Sequence, residues 1–144
     1  MKYIIIILIS LFISLPSLAN PSGKGLICEC VNCDYYRNKR KIGFIFFDDT
    51  VKRYMFDDIK DIININESGG FFYTTSPDLI EFKISSDKYN LNRKSLELNA
   101  VANGFQISYQ CKVMVGEDEF IKEIDNLQKS YQEELDLLLK DNKI

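Results

Sequence analysis

A chain of 144 residues with 27% charged side chains, a net charge of −3 and no histidine closes several functional classes at once. General nucleic-acid binding needs a dominant basic face, which an acidic balance does not supply. Without histidine, Ser-His-Asp and Cys-His catalysis are impossible, and so are the usual catalytic zinc sites.

The first segment, "MKYIIIILISLFISLPSLAN", places Lys2 ahead of an apolar run from Tyr3 to Leu15. Pro16 breaks that run, and Ser17 and Ala19 form a small-x-small exit before Asn20. This is the layout of a cleaved signal peptide. The run is shorter than the ~20 residues that a membrane-spanning helix needs. No cysteine follows the exit, so a lipoprotein anchor is not expected. The expectation is a signal peptide over 1–19, export to a periplasmic or secreted location, and no stable membrane span after cleavage. A β domain over 20–116 and a helix over 117–144 complete the division.

Four cysteines follow, three of them close together: Cys28, Cys30 and Cys33 in "LICECVNC", and Cys111 in "ISYQCKVMV". An even count in an exported chain points to disulfides. "GLICEC" reads as a strand, so Cys28 and Cys30 share a face. In "FQISYQCKVMV" the residues Phe105, Ile107, Tyr109, Cys111, Val113 and Val115 alternate with Gln106, Ser108, Gln110 and Lys112, which points Cys111 to the core. A first-strand cysteine therefore bridges to Cys111. Cys28–Cys111 with a local Cys30–Cys33 loop is favoured, and Cys30–Cys111 with Cys28–Cys33 is close behind. Structural zinc lacks paired knuckles, because Cys111 has no cysteine near it in sequence. The Cys-x-x-Cys at 30–33 follows a strand and not the start of a helix, which speaks against thioredoxin-like chemistry.

Next come strands and turns. "KIGFIFF", "DDT" and "VKRYMF" read as a hairpin over 41–56, with Asp48 and Asp49 in the turn. "FFYTT", "SPD" and "LIEFKI" read as a second over 71–84, with Ile80, Phe82 and Ile84 alternating with Glu81 and Lys83. "KYNLNRKSLELNA" reads as a third, turning at Asn92, Arg93 and Lys94, and "ANG" at 102–104 leads into the last strand. The segment 57–70, "DDIKDIININESGG", is expected to be a long connection holding a helical turn or an extra edge strand. The count is about eight short strands, which predicts a mainly β fold: a small antiparallel barrel or sandwich.

The tail changes period. Phe120, Ile124, Leu127, Tyr131, Leu135 and Leu138 recur at spacings of three and four, one face of an amphipathic helix. Glu117, Asp118 and Glu119 suit the positive end of its dipole. Docking on the sheet would explain "FIFF" at 44–47, where both faces of one strand are apolar. The other reading is a short coiled coil, which gives a monomer or a weak helix-mediated dimer.

No catalytic residue, metal ligand or cofactor site is assigned. The pairs Asp48–Asp49 and Asp57–Asp58 are turn and strand-end neighbours whose side chains diverge. Two binding features stand out. One is "RNKRK", where Arg37, Lys39, Arg40 and Lys41 form an anion-binding candidate. The other is the aromatic load of ten Phe and eight Tyr.

The early "LICEC", the hairpin "YNLNRKSLEL" and the closing "YQC" resemble a group of small exported bacterial β-proteins. A weaker resemblance is to periplasmic inhibitors of c-type lysozyme. Those are eight-stranded barrels tied by a disulfide, which insert a Ser-Gly-x-x-Tyr loop into the enzyme's cleft. Here "ESGGFFYTT" offers Ser68, Gly69 and Gly70, then Phe72 where that motif has Tyr, with Tyr73 one position late. The family's Lys-Gly motif is absent. What the resemblance implies is a binding loop at Ser68, Gly69, Gly70, Phe72 and Tyr73. The expected function is a non-enzymatic interaction module for an envelope protein or glycan. The alternative is a carrier that holds a small apolar ligand inside the barrel.

Overall fold

The computed structural model describes residues 20–31, 33 and 41–141. The segment 1–19, expected to be a signal peptide, and three of the basic candidates, Arg37, Lys39 and Arg40, lie outside the described residues. Eight strands form a closed antiparallel barrel in which each pairs with the next in sequence and the last returns to the first. They are β1 (Lys24–Cys30), β2 (Ile42–Phe46), β3 (Thr50–Ile59), β4 (Ile62–Thr75), β5 (Leu79–Ile84), β6 (Asp87–Asn92), β7 (Glu97–Ala102) and β8 (Phe105–Val115). One helix follows, α1 (Glu117–Asp141).

Alternation along the strands produces two apolar clusters on opposite faces of one sheet. Inside the barrel lie Leu26, Phe44, Phe46, Phe82, Tyr89 and Leu98, among others. Their rings interlock: Phe44 meets Phe82 edge-on at 5.3 Å, and Phe82 stacks on Tyr89 at 5.0 Å. The outward face of β1, β2, β3 and β8 carries Ile27, Ile45, Tyr54, Phe56 and Met114, which are buried with Phe120 and Ile124 of the helix. This accounts for "FIFF": Phe44 and Phe46 fill the barrel, while Ile45 lies beneath the helix.

Helix docking depends on two positions without side chains. A Cβ on Gly25 would lie 2.4 Å from Phe120 Cδ2, and one on Gly43 would lie 2.7 Å from Ile124 Cδ1. Gly116, at φ 97°, turns the chain from β8 into the helix. Glu119 then reaches back and accepts the Val115 N–H at 3.1 Å.

Three expectations need correction. Residues 57–70 are not a separate connection. β3 continues to Ile59, turns through Lys60 and Asp61 at φ 54° and 64°, and returns at once as β4. Two consecutive residues with positive φ match the twist of a tight hairpin, and here neither is Gly or Asn. In β8, Val115 is 75% exposed at the strand's end, while Met114 on the opposite face is buried under the helix. Leu138, read as part of the docked stripe, is exposed, because the helix has by then run past the sheet.

Candidate functional site

The cysteines come first, because they close the barrel. Cys28 on β1 stands opposite Cys111 on β8 in a seven-pair ladder, and the two are bonded with their Cα atoms 3.9 Å apart. Cys30 and Cys33 are bonded to each other. The described residues contain no free cysteine and no group of three His, Cys, Asp or Glu able to hold a metal.

The barrel interior is occupied by side chains through its middle and differs at its two ends. At the end where β1 starts, a cup of about 250 Å³ is lined by Leu26, Phe46, Ile80, Leu91 and Leu96, with Lys24 and Arg93 at its rim. Arg93 donates from Nη1 to the Ser76 carbonyl at 2.8 Å. Near the other end a polar cluster crosses the barrel. Arg53 Nη1 donates to Tyr89 Oη at 2.8 Å and lies 3.3 Å from Asp87 Oδ2. Burial pushes the Tyr89 and Tyr109 phenols upward, and Tyr109 reaches about 12. Arg53 Nε is buried without a hydrogen-bond partner. The ion pair is only partly exposed and ties β3 to β6 across a stretch where β4 and β5 have separated.

That separation defines the candidate site. β4 pairs with β5 at only three positions, Tyr73↔Phe82, Thr74↔Glu81 and Thr75↔Ile80. Residues 62–71 of β4 pair with β3 alone, so their second edge is open. The helix covers the start of that edge. Gln132 Oε1 accepts the Ile63 N–H at 2.8 Å, and Gln128 Nε2 donates to the Ile63 carbonyl at 2.8 Å.

The segment expected to be a loop, Ser68, Gly69, Gly70, Phe72 and Tyr73, lies within this strand. Its register shifts opposite Val51–Arg53, and Gly70 at φ 80° marks the bulge. Lys52 lies across Gly69, where a Cβ would come within 2.4 Å of Lys52 Cγ, and its ammonium meets Glu67 Oε1 at 2.7 Å. That contact holds the lysine pKa upward. Phe72 and Tyr73 then part. Tyr73 turns inward, packs edge-on against Phe46 at 5.3 Å, and places its hydroxyl 2.9 Å from the Phe47 carbonyl. Its hydroxyl also lies 3.0 Å from the Asp48 carbonyl, so it anchors the β2–β3 turn. Phe72 is 73% exposed.

Lys41 is the basic candidate that is described. Its Nζ lies 3.6 Å from Glu29 Oε2, and its backbone N–H donates to Tyr131 Oη at 2.9 Å. It serves as a joint between barrel and helix.

Next to Phe72 the outer face of β5 and β6 carries residues to which the sequence reading gave no role: Lys83, Lys88 and Asn90, with Glu81 expected only to face outward. With Phe72 and Thr74, and with Tyr73, Phe82 and Tyr89 deeper in the seam, they line a groove of about 490 Å³. The signal was present in "EFKISSDKYN". Lys83 and Lys88 are equidistant from the turn at Ser85–Ser86, so a hairpin must set them opposite each other.

No protein-family model matches the chain, and neither a curated protein nor a solved structure does.

Proposed function

We propose that this protein is a non-enzymatic, exported interaction module whose partner is an envelope protein or glycan. The observation that carries the reading is Phe72: a large aromatic ring, 73% exposed, on a bulged strand whose neighbouring edge is unpaired. Aromatic side chains are enriched at protein interfaces, and this one stands in water beside a groove. Supporting it, the middle of the barrel is filled by its own side chains. Two disulfides fit an oxidising compartment, and no helix among the described residues is long and apolar enough to cross a membrane. Inhibition of a c-type lysozyme is the sharpest form of this proposal, with Ser68 to Phe72 as the contact.

The second reading, a carrier, draws on the apolar cup with Lys24 and Arg93 at its rim. Its volume is below the roughly 300–1,000 Å³ typical of small-molecule pockets, so an acyl terminus is the largest group it would admit.

The test is co-sedimentation of the purified, oxidised protein with cell-envelope fragments, alongside a c-type lysozyme activity assay. The expected result is retention on the fragments that Phe72→Ser abolishes while the fold stays intact. Retention that survives protease treatment of the fragments identifies a glycan, and loss on protease treatment identifies a protein. No retention and no inhibition, together with an acyl compound found by native mass spectrometry, would replace the module with the carrier.

A further inference from the structure

Lys83 and Lys88 are direct cross-strand partners in the β5–β6 ladder. Like charges so placed destabilise a sheet. Among the described residues neither lysine has an ion-pair partner. Two exposed ammonium groups so placed can share one anion. The β4–β5 ladder stops at Tyr73↔Phe82, so Phe72 and Lys83, next in register, face across the seam without pairing. One step along, Glu81 stands between Thr74 and Asn90. Glu81, Lys83, Lys88 and Asn90 are all exposed.

We propose that this seam is a binding groove for an acidic sugar, a pyranose ring carrying a carboxylate. The inference rests on the interaction-module reading and names its ligand class. Each wall makes a different chemical demand. The two ammonium groups require an anion. The Glu81 carboxylate only accepts hydrogen bonds, so it repels a bare anion and requires hydroxyl donors. The exposed Phe72 ring requires an apolar face, which the C–H side of a sugar ring supplies. Asn90 and Thr74 both donate and accept, as vicinal hydroxyls need. Inorganic phosphate satisfies only the lysines. A neutral hexose leaves the lysines facing each other. A ring bearing both hydroxyls and a carboxylate meets each of these demands. In the bound geometry its acid lies toward Lys83 and Lys88 and its hydroxyls toward Glu81 and Asn90.

The experiment is an NMR titration of the ¹⁵N-labelled, oxidised protein with glucuronic acid, glucose and inorganic phosphate in turn. Glucuronate is expected to move the amides of 72–74, 81–83 and 88–90, with glucose and phosphate binding more weakly. Lys83→Gln and Lys88→Gln each weaken glucuronate binding about tenfold, the loss expected for one charge-assisted hydrogen bond. Both substitutions lie on the exposed face and remove a repulsion, so loss of fold cannot explain the result. Phe72→Ser weakens binding with the spectrum otherwise unchanged. The proposal is overturned if the groove amides stay still, if phosphate binds as well as glucuronate, or if the lysine variants bind like wild type. A sugar response on another face removes the groove and leaves the interaction module standing. Envelope retention that protease abolishes does the same, whereas failure in both assays removes both readings.

Discussion

Barrel and helix meet tightly at two positions where a side chain is missing. Gly25 and Gly43 leave a shallow depression on the outer face of β1 and β2, and Phe120 lies in it, fully buried. A Cβ on Gly25 would stand 2.8 Å from Phe120 Cβ as well as 2.4 Å from its ring, so rotating the ring alone cannot relieve the clash. Gly25→Ala is therefore expected to destabilise the protein by about 1–3 kcal/mol, the usual cost of overpacking. Phe120→Ala should cost about 3–5 kcal/mol by opening a cavity. Together the two must cost less than their sum, because the methyl then has room. Urea unfolding of both single variants and the double variant measures this coupling, and strict additivity would show that the ring and the glycine do not meet. None of this was legible in the sequence. Gly25 and Gly43 sit in strands as unremarkable small residues, and their role exists only once a helix from the far end of the chain lies over them. Phe120 and Ile124 were legible, because helical spacing marks them whatever they pack against.

At the level of elements, three hairpins and the helix followed from periodicity and turn residues, whereas the longest hairpin did not. "DDIKDIININ" has a turn, Lys60–Asp61, with neither Gly nor Asn, so the usual marker of a tight hairpin is absent. The consequence is larger than a misplaced boundary. Because β3 and β4 run on together, β4 extends beyond β5 and exposes backbone groups that a compact barrel would have paired. An open edge invites pairing with another chain. Three devices limit that here. Gly70 bulges the strand, Lys52 and Glu67 place charge beside it, and Gln128 and Gln132 bond both backbone groups of Ile63. Sequence reading gives neither glutamine a role, because the apolar spacing marks only their neighbours Leu127 and Tyr131. Gln128→Ala with Gln132→Ala should cost about 1–3 kcal/mol, because Ile63 loses partners on both its N–H and its carbonyl. The freed edge should also raise self-association, read as a larger sedimentation coefficient at high concentration. Unchanged stability with strictly monomeric behaviour would mean that water replaces the amides without loss.

For the whole molecule, closure is the organising fact, and it joins the ends of the barrel sequence. β1 cannot complete its pairing until β8 exists, so the barrel closes late and through contacts of high sequence separation. Alternation points Cys111 inward and sets Cys28 and Cys30 on one face of β1, and Cys28 and Cys111 are direct ladder partners. What parity could not rank was Cys30, which shares the inward side of β1 but stands opposite Tyr109 and bonds to Cys33 instead. The groove was beyond reach for a related reason, since it depends on where the β4–β5 ladder stops, and alternation says which face a residue takes but not how far two strands stay paired. The two disulfides should differ in weight. Cys28–Cys111 spans 83 residues. In the chain-entropy model a loop of that length stabilises by about 4.5 kcal/mol, whereas a loop of three or four residues contributes about 2 kcal/mol. Cys28→Ala with Cys111→Ala should therefore lower the thermal midpoint well below that of Cys30→Ala with Cys33→Ala. Calorimetry of the two double variants decides the order. Equal losses would mean that the seven-pair ladder between β1 and β8 closes the barrel without its covalent link, and that the small loop matters for the shape of the barrel mouth where Cys33 is buried.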